Sequence, residues 1–340
     1  MLINIKYENG EVKFIDASSL PTKFRIISTK EPDEIIKAIK ELKIRGAPAI
    51  GAASALCLAL VARKYNFKNK DELNKIIDEY SKKLIDARPT AYNMYYAIKR
   101  IKQIIESNDN VEDLKDKILN EALKICKEDI EVNSKIAELG SSLIKDGDRI
   151  LTHCNTGALA TVGIGTALGI IAYASKTKKI MVYVTETRPV MQGSRLTAWE
   201  LEKLNIPYKI IPDLAVGYLM KKGEVDKVFV GADRILMSGH VINKIGTFSI
   251  ALIAKHFNIP FYVAAPTSTI DPKASLEDVK IEERSKEEII KIKRYYVAPK
   301  KANVFNPSFD ITDPELIEGI ITEKGIAFKP IDKNLKELIL

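Results

Sequence analysis

The second half of the chain alternates short β-rich runs with helical patterns, and this alternation constrains the fold more than any other feature. The β-rich runs lie at residues 149–152, 180–185, 208–211, 227–230 and 261–265, and the helical patterns between them at 158–174, 195–204, 213–221 and 245–257. Repeated β-α-β units of this length are typical of a parallel sheet covered by helices. We therefore predict an α/β fold with a doubly wound parallel sheet.

The first part of the chain has a different pattern. Two alternating apolar runs flank Asn9-Gly10, which predicts an initial β-hairpin. From residue 32 to about residue 144, apolar residues recur at helical spacing. Residues 48–61 are so uniformly small or apolar that we expect a helix buried on all sides.

A length of 340 residues is enough for two domains. No Gly/Ser-rich linker occurs near residues 130–148, so we expect a continuous helix to join them. The predicted division is a mainly helical domain at residues 1–130 and a sheet-bearing domain at residues 131–340.

Several classes of protein are excluded by what the chain lacks. Three cysteines, Cys57, Cys126 and Cys154, are too few for a disulfide framework, and none lies in a C-x-x-C pair, which excludes a zinc ribbon or a redox pair. The amino terminus has no signal-peptide pattern. No uninterrupted apolar run reaches the roughly 18 residues of a membrane span, and the nearest candidate is 158–174. We expect a soluble, cytoplasmic protein without membrane contact.

The net charge is +8, from 53 basic and 45 acidic residues. The lysines are interleaved with glutamates, whereas a nucleic-acid surface concentrates its basic residues, so we predict no nucleic-acid partner. The richness in Lys, Ile and Glu fits a heat-adapted, thermophile protein. An anionic small molecule remains compatible with the charge.

Ligands of open α/β sheets bind at the carboxyl ends of the strands, so the residues after each predicted strand are candidates for the site. Cys154 follows the first strand, ahead of a predicted helix that carries Gly163 and Gly165, whose first N–H groups would favour an anion. The alternative is a buried cysteine that serves as a small apolar residue. Cys57 and Cys126 lie on helical faces, where we expect core roles.

Two further strand ends carry polar groups. Arg188, Gln192 and Arg195 follow the second strand and would suit a phosphate, or else form a salt-bridged loop. Asp233 directly follows the fourth, where partial desolvation would raise its pKa and suit a general acid, unless it pairs with Arg234.

Arginines are concentrated at such positions. Five of the eleven fall at strand ends or helix starts, which predicts a small phosphorylated ligand between the domains. These five are Arg45, Arg88, Arg188, Arg195 and Arg234. Asn243 and Lys244, at the predicted start of a helix, add an amide and an ammonium group near the same edge. No H-E-x-x-H motif, no cluster of histidines and carboxylates and no Walker A pattern occurs, so neither a metal nor ATP is indicated.

Several longer motifs of the chain match those of one enzyme family. The motifs are RGAPAIG (45–51), RPTAYN (88–93), THCNTGALAT (152–161), ETRPVMQGSRLTAWEL (186–201), GADRI (231–235), NKIGT (243–247) and IPFYVAAPTSTID (259–271). The chain resembles the methylthioribose-1-phosphate isomerases, which are related to the regulatory subunits of translation initiation factor 2B and to ribose-1,5-bisphosphate isomerase. It departs from their pattern at residues 236–242.

The resemblance implies a small helical domain, a Rossmann-like catalytic domain, a substrate bound between them, and a homodimer. It implies catalytic roles for Cys154 and Asp233. The substrate-binding positions that it implies are Arg45, Gly46, Ala47, Arg88, Gln192, Asn243 and Lys244, with supporting positions at Thr156, Gly157, Arg188 and Arg195. No metal or organic cofactor is implied.

The implied reaction is an aldose–ketose isomerisation of a sugar 1-phosphate in methionine salvage, namely 5-methylthioribose 1-phosphate. The hypothesis assigns ring opening to Asp233 and the transfer from C2 to C1 to Cys154. Two alternatives stay open. A ribose-1,5-bisphosphate isomerase would need a second cationic pocket, and a regulatory subunit would not need to keep Cys154, Asp233, Asn243 and Lys244 together.

Overall fold

The protein begins with a small antiparallel sheet. The structure, a computed structural model, describes residues 2–108 and 110–339. Strands β1 (Ile5–Glu8) and β2 (Glu11–Ile15) form the predicted hairpin, and β3 (Ile26–Thr29) pairs with β2 as a third strand that the sequence analysis missed. Asn9 and Gly10 have φ values of 54° and 79°, as two-residue hairpin turns require.

Five helices follow, as the helical spacing predicted. They are α1 (Pro32–Lys40), α2 (Ala47–Lys64), α3 (Lys70–Ala87), α4 (Tyr92–Glu106) and α5 (Leu114–Ser141). Helix α2 is buried on all sides, which confirms the prediction made for residues 48–61. Helix α5 is 28 residues long and continues without a break across residue 130.

Helix α2 also changes one expectation about membrane spans. In the described part of the chain, it is the one helix with the length and apolar composition of a span, and 83% of that segment is buried inside the protein. The candidate expected at 158–174 is not one helix, because only Ala158–Ala160 and Ala167–Ala174 are helical. Gly163 and Gly165 therefore lie in a loop, and Gly165 has φ 93°, which a right-handed helix excludes.

The carboxy-terminal part is built on a seven-stranded sheet. Its strands are β4 (Arg149–Thr152), β5 (Met181–Thr185), β6 (Tyr208–Ile211), β7 (Lys227–Val230), β10 (Phe261–Ala264), β15 (Gly319–Thr322) and β16 (Gly325–Phe328). They lie in the order β16-β15-β10-β7-β4-β5-β6, parallel except for β16. This Rossmann-like order confirms the predicted doubly wound α/β class, and it reverses direction between β4 and β7.

Helices cover both faces of this sheet. They are α6 (Ala167–Ala174), α7 (Ala198–Lys203), α8 (Val216–Lys221), α9 (Thr247–His256) and α11 (Ile331–Ile339), while the short α10 (Glu287–Ile290) lies apart from the sheet. Neighbouring residues of one strand enter different cores: Ile150 packs with Val182 on one face, and Leu151 packs with Val228 on the other. Burial on both faces explains why these strands form uninterrupted apolar runs in the sequence.

A second, four-stranded sheet lies beside the first and was not predicted. Its strands are β8 (Arg234–Leu236), β9 (Val241–Lys244), β11 (Ile270–Asp271) and β14 (Phe309–Thr312), in the order β11-β8-β9-β14, and a separate hairpin joins β12 (Lys291–Ile292) to β13 (Tyr295–Tyr296). Asn243 and Lys244 therefore end a strand and do not begin a helix, since α9 starts only at Thr247.

Candidate active site

The loops at the point where the strand order reverses hold the predicted thiol and carboxylate. Strands β4 and β7 are neighbours, with Thr152 paired to Phe229, so the loops that follow them leave the same edge of the sheet. Cys154 lies in the first loop and Asp233 in the second, and both line a cavity with about 370 Å³ of free space. This inner cavity is at the position where doubly wound sheets bind ligands.

The backbone of Cys154 is held in an unusual conformation. Its φ is 63°, in the left-handed region that non-glycine residues rarely adopt. Its N–H donates to Oγ1 of Thr187 at 2.9 Å, and its carbonyl oxygen accepts from Oγ1 of Thr197 at 2.6 Å. Two threonine hydroxyls therefore hold the nearly fully buried cysteine in a conformation that costs energy.

Below the cysteine, the buried His153 connects three strand ends. Its Nε2 lies 2.9 Å from the carbonyl oxygen of Ile245, and its Nδ1 lies 2.7 Å from Oγ1 of Thr185. A carbonyl oxygen only accepts, so Nε2 carries the proton and Nδ1 accepts from the threonine. Burial lowers the pKa of His153 to about 4, so the ring is neutral near pH 7. The sequence analysis assigned this histidine no role.

Arg45 links the amino-terminal helices to the cysteine loop. Its Nη1 donates to the carbonyl oxygen of Asn155 at 2.8 Å and to Oδ1 of the same residue, and its Nη2 lies 3.8 Å from Sγ of Cys154. The next residue, Gly46, has φ 91°, and a Cβ there would overlap the backbone of Ala160. Only glycine therefore allows the start of α2 to approach the loop this closely.

A buried carboxylate supports the same loop from behind. Glu200, on α7, accepts from Nδ2 of Asn155 at 2.7 Å and from the backbone N–H of Ala158 at 2.6 Å. Burial raises the pKa of Glu200 to about 7. Gly157 packs against this carboxylate, which leaves no space for a Cβ. Glu200 lies in the motif at residues 186–201, but nothing in its spacing distinguishes it from an ordinary surface glutamate of a helix.

Asp233 lies where the inner cavity opens into a larger one. Burial raises the pKa of its carboxyl group, while the positive charges of Lys244, Arg88 and Arg45 act in the opposite direction. No donor in residues 2–108 or 110–339 hydrogen-bonds to its carboxylate oxygens. The raised pKa agrees with the expectation for a carboxyl group that follows a buried strand.

Two of the five arginines, Arg188 and Arg234, line neither cavity. Arg234 pairs with Asp271, with Nε 3.0 Å from Oδ2, so it is not the partner of Asp233. Arg188 donates through Nη1 to the carbonyl oxygen of Pro189 at 2.8 Å and through Nη2 to that of Ile289 at 3.2 Å. Arg188 therefore binds the backbone of α10 and does not line either cavity.

A second cavity, the outer cleft, adjoins the inner cavity and has about 510 Å³ of free space. Arg45, Gly46 and Asp233 line both. The rest of the polar wall of the outer cleft consists of Arg88, Gln192, Arg195, Lys244, Glu282, Arg284 and Ser308. Cations outnumber carboxylates in this wall, so it suits an anionic ligand.

Several polar atoms of this wall have no protein partner. In the part of the chain that the structure describes, Nε of Arg88, Oε1 of Gln192 and Oγ of Ser308 are buried without a hydrogen bond. Nε of Arg88 is 3.7 Å from a carboxylate oxygen of Glu282, which makes an ion pair but not a hydrogen bond. Buried polar groups are normally paired, so three unpaired ones in one cleft indicate a polar ligand.

The end of β9 adds Lys244 and Asn243. Nζ of Lys244 donates to the carbonyl oxygen of Ser308 at 2.8 Å and lies 4.4 Å from the ring centre of Phe309. Burial lowers the pKa of Lys244, while Cys154 and Asp233 act to raise it. Nδ2 of Asn243 donates to Oγ1 of Thr247 at 3.0 Å, and the residue lines the inner cavity.

The predicted supporting residues have different environments. Thr156 lines the inner cavity, and its Oγ1 accepts from the N–H of Leu168 at 3.1 Å. Arg195 lines the outer cleft while its Nη1 donates to the carbonyl oxygen of Leu20 at 3.0 Å. Gly157 contacts Glu200 and lines neither cavity.

Every residue predicted to be catalytic or substrate-binding, including Ala47, lines one or both of these cavities. Five further residues that line or support the two cavities were not predicted from the sequence: His153, Glu200, Glu282, Arg284 and Phe309. The last three come from the segment before and within β14, where the signal available was the short charged run 281–284. Across residues 2–108 and 110–339, no group of three or more His, Cys, Asp or Glu side chains is placed to hold a metal ion.

Comparison with known proteins adds independent information. A sequence model of the initiation factor 2 subunit family matches residues 43–329. Methylthioribose-1-phosphate isomerase 2 of Pseudothermotoga lettingae is 47% identical over 338 residues, which cover 98% of this chain and 97% of that protein.

Two solved structures are similar over almost the full length. The 5-methylthioribose 1-phosphate isomerase from Pyrococcus horikoshii OT3 has a TM-score of 0.88 and 40% identity, covering 99% of this chain and 96% of that one. The translation initiation factor eIF-2B, subunit delta, from A. fulgidus has a TM-score of 0.85 and 44% identity, covering 100% and 99%.

Proposed function

The chain belongs to the initiation factor 2 subunit family, and from this membership and the geometry of the site we propose that it is an aldose–ketose isomerase of methionine salvage. It converts 5-methylthioribose 1-phosphate to 5-methylthioribulose 1-phosphate. The observation that carries the proposal is that a thiol, Cys154, and a carboxyl group, Asp233, line one cavity that opens into a cationic cleft.

The substrate determines what the acid has to do. Its anomeric oxygen is esterified with phosphate, so the ring cannot open spontaneously at C1. A proton must be placed on the ring oxygen while the bond from C1 to that oxygen breaks. Asp233 is the donor in our proposal, because burial raises its pKa and leaves the proton available at higher pH than on an exposed aspartate.

After ring opening, C1 must gain a hydrogen and C2 must become a carbonyl carbon. In one route a base removes the proton from C2 and a proton is then delivered to C1. In the other, hydride moves from C2 to C1 and the C2 hydroxyl loses its proton. We assign this transfer, or its stabilisation, to Cys154, whose Sγ lies 3.8 Å from a nitrogen of Arg45.

The phosphate needs oxyanion-binding groups beside the reacting carbon. Arg45 and Arg88 are in our proposal its main partners, and Gly46 and Ala47 bring the N-terminus of α2 to the same place. Gln192, Asn243 and Lys244 complete the binding set. The unpaired Nε of Arg88 and Oε1 of Gln192 supply hydrogen-bonding capacity that the protein itself leaves unused.

The departure of residues 236–242 from the isomerase pattern does not alter this set. The segment spans the turn between β8 and β9, and none of its residues lines either cavity. This supports the same sugar as substrate.

Turnover of purified sugar phosphates tests the proposal. We expect 5-methylthioribose 1-phosphate to react and ribose 1,5-bisphosphate to react poorly, with Cys154→Ala and Asp233→Asn each abolishing turnover. Proton NMR in heavy water distinguishes the routes, because proton transfer allows deuterium to enter C1 and hydride transfer does not. Near-normal turnover by either variant would contradict the assignment.

The same assay addresses the binding-subunit function that the A. fulgidus structure raises. A binding subunit has no need of a thiol and an acid in one cavity, and this chain has both. If neither sugar phosphate reacts with the wild-type protein, the binding function is the better conclusion.

We further propose a cytoplasmic homodimer from a thermophile, with domains at 1–130 and 131–340 and with neither nucleic acid nor membrane as a partner. The larger hydrophobic cores, one within residues 5–125 and others from residue 136 onward, support the division, while a smaller cluster packs residues 15–20 against Leu159 and Leu196 across it. An apolar cleft lined by Phe24, Trp199 and Leu204 supports a self-association surface. Light scattering tests the dimer, and thermal unfolding tests the heat adaptation.

A further inference from the structure

Glu200 is a buried charged residue that the proposed chemistry does not use. It is 4% exposed and lines neither the inner cavity nor the outer cleft, because it lies behind the loop that carries Cys154. Every hydrogen-bonding group that faces its carboxylate is a donor: Nδ2 of Asn155 at 2.7 Å, and the N–H groups of Ala158 at 2.6 Å and Leu159 at 3.4 Å. An acceptor-only group therefore fits this position.

A short series of contacts connects this carboxylate to the thiol. Glu200 accepts from the amide nitrogen of Asn155, which turns the amide oxygen of Asn155 toward Arg45. Nη1 of Arg45 donates to that oxygen and to the carbonyl oxygen of the same residue, and its Nη2 reaches 3.8 Å from Sγ of Cys154. Nδ2 of Asn155 also donates to Oγ1 of Thr197 at 3.2 Å, so Glu200 and Thr197 together set the orientation of the Asn155 amide.

We propose that Glu200 is a positioning residue, which acts through Asn155 to hold Arg45 against the sulfur of Cys154. An amide at position 200 would present its NH₂ group to Asn155 and turn the Asn155 amide around. The NH₂ group of Asn155 would then face the N–H groups of Arg45, where two donors cannot bond to each other. This inference rests on the proposed role of Cys154 in the reaction.

The test is Glu200→Gln, assayed at pH 8, where Glu200 with its pKa of about 7 is mainly ionised. The substitution keeps the size of the side chain and removes the charge. We expect kcat/KM to fall roughly 10- to 100-fold, in line with the loss of a hydrogen bond to a charged group. We also expect iodoacetamide to alkylate Cys154 more slowly in this variant. The rate is measured by mass spectrometry of the peptide that contains Cys154. Glu202→Gln is the matched control, because Glu202 is exposed on the same helix.

A charge exchange distinguishes positioning from a purely structural role. In the double variant Glu200→Gln with Asn155→Asp, the carboxylate at position 155 accepts directly from Arg45. The amide at position 200 donates through its nitrogen to that carboxylate and still accepts through its oxygen from the N–H of Ala158. We expect this double variant to be several-fold more active than either single variant. Asn155→Asp alone brings two carboxylates together and is expected to be the least active.

Wild-type kinetics in Glu200→Gln would overturn the inference. So would a loss of activity that the double variant does not recover and that leaves the alkylation of Cys154 unchanged. Circular dichroism and light scattering show whether each variant is folded and has the wild-type oligomeric state. Full activity of Cys154→Ala would instead refute the proposed role of Cys154 in the reaction. The alkylation of Cys154 in Glu200→Gln tests the positioning role separately.

Discussion

Thr187→Val tests whether the left-handed backbone of Cys154 is needed for the reaction. The hydroxyl of Thr187 is the acceptor for the N–H of Cys154 at 2.9 Å, and valine replaces that hydroxyl with a methyl group of similar size. The change leaves a buried N–H group without an acceptor, and it creates no cavity because valine and threonine have nearly the same shape. It also removes the contact of Oγ1 of Thr187 with Oγ1 of Thr185 at 3.1 Å.

The magnitude follows from these contacts. A buried donor that loses its acceptor costs about 1–3 kcal/mol, and the left-handed conformation of Cys154 costs about 1–3 kcal/mol that the surrounding bonds must offset. The free energy of unfolding should therefore fall by about 1–3 kcal/mol. If the same amount is lost in the transition state, kcat/KM falls by roughly 5- to 150-fold, since about 1.4 kcal/mol corresponds to a factor of ten.

Urea unfolding and steady-state kinetics measure the two effects, and Thr187→Ser is the control. Serine keeps the hydroxyl and loses one methyl group, so it should cost about 0.8 kcal/mol of stability while activity is retained. The reasoning is refuted if the valine variant has wild-type kcat/KM, or if the serine variant loses as much activity as the valine variant.

Three further predictions concern single groups. Because burial raises the pKa of Asp233, which must be protonated to donate, kcat should fall as the pH rises through that raised pKa; a rate that increases steadily with pH would contradict this role. Gly46→Ala should destabilise the protein by more than Gly147→Ala, since both have positive φ but only at Gly46 would a Cβ overlap the backbone of Ala160; equal melting temperatures would contradict this reading. Burial raises the pKa of Asp129 from 3.8 to about 7, so the folded state binds its proton more tightly and wild-type stability is lost as the pH rises from about 4 to about 7. Asp129→Asn should remove this pH-dependent loss of stability, which amounts to up to about 4 kcal/mol. Urea titrations at several pH values measure it, and a stability difference between variant and wild type that does not vary with pH would contradict the prediction.

The main sheet was predictable because its signal is local. The central strands β4 and β7 are buried on both faces and are therefore short apolar runs, and the structure places them at the predicted residues. The edge strand β6 also has the predicted bounds, although Lys209 and Ile210 are exposed. The second sheet was not predictable in this way. Its strands have two to four residues, and Asn243 pairs with Asp310, a register that no local pattern specifies.

The candidate site divides along the same line. Cys154 and Asp233 follow buried strands directly, so the strand-end rule found them without any knowledge of distant contacts. The directions of Arg188 and Arg234 depend on Ile289 and Asp271, which are 101 and 37 residues away, so the local sequence did not specify them. A guanidinium group turns toward the acceptor that folding brings near it, and spacing along the chain does not contain that information.

The sequence by itself determined the parallel sheet and the thiol and carboxylate that follow two of its strands, because burial patterns and the alternation of strands with helices are local properties. The order of the strands, and therefore the point where it reverses, was decided by the tertiary structure. Only the tertiary structure decided which cations face the cleft, the left-handed backbone of Cys154 and the carboxylate of Glu200 behind it. These depend on desolvation and on hydrogen bonds between residues far apart in the chain, which exist only once the elements have packed.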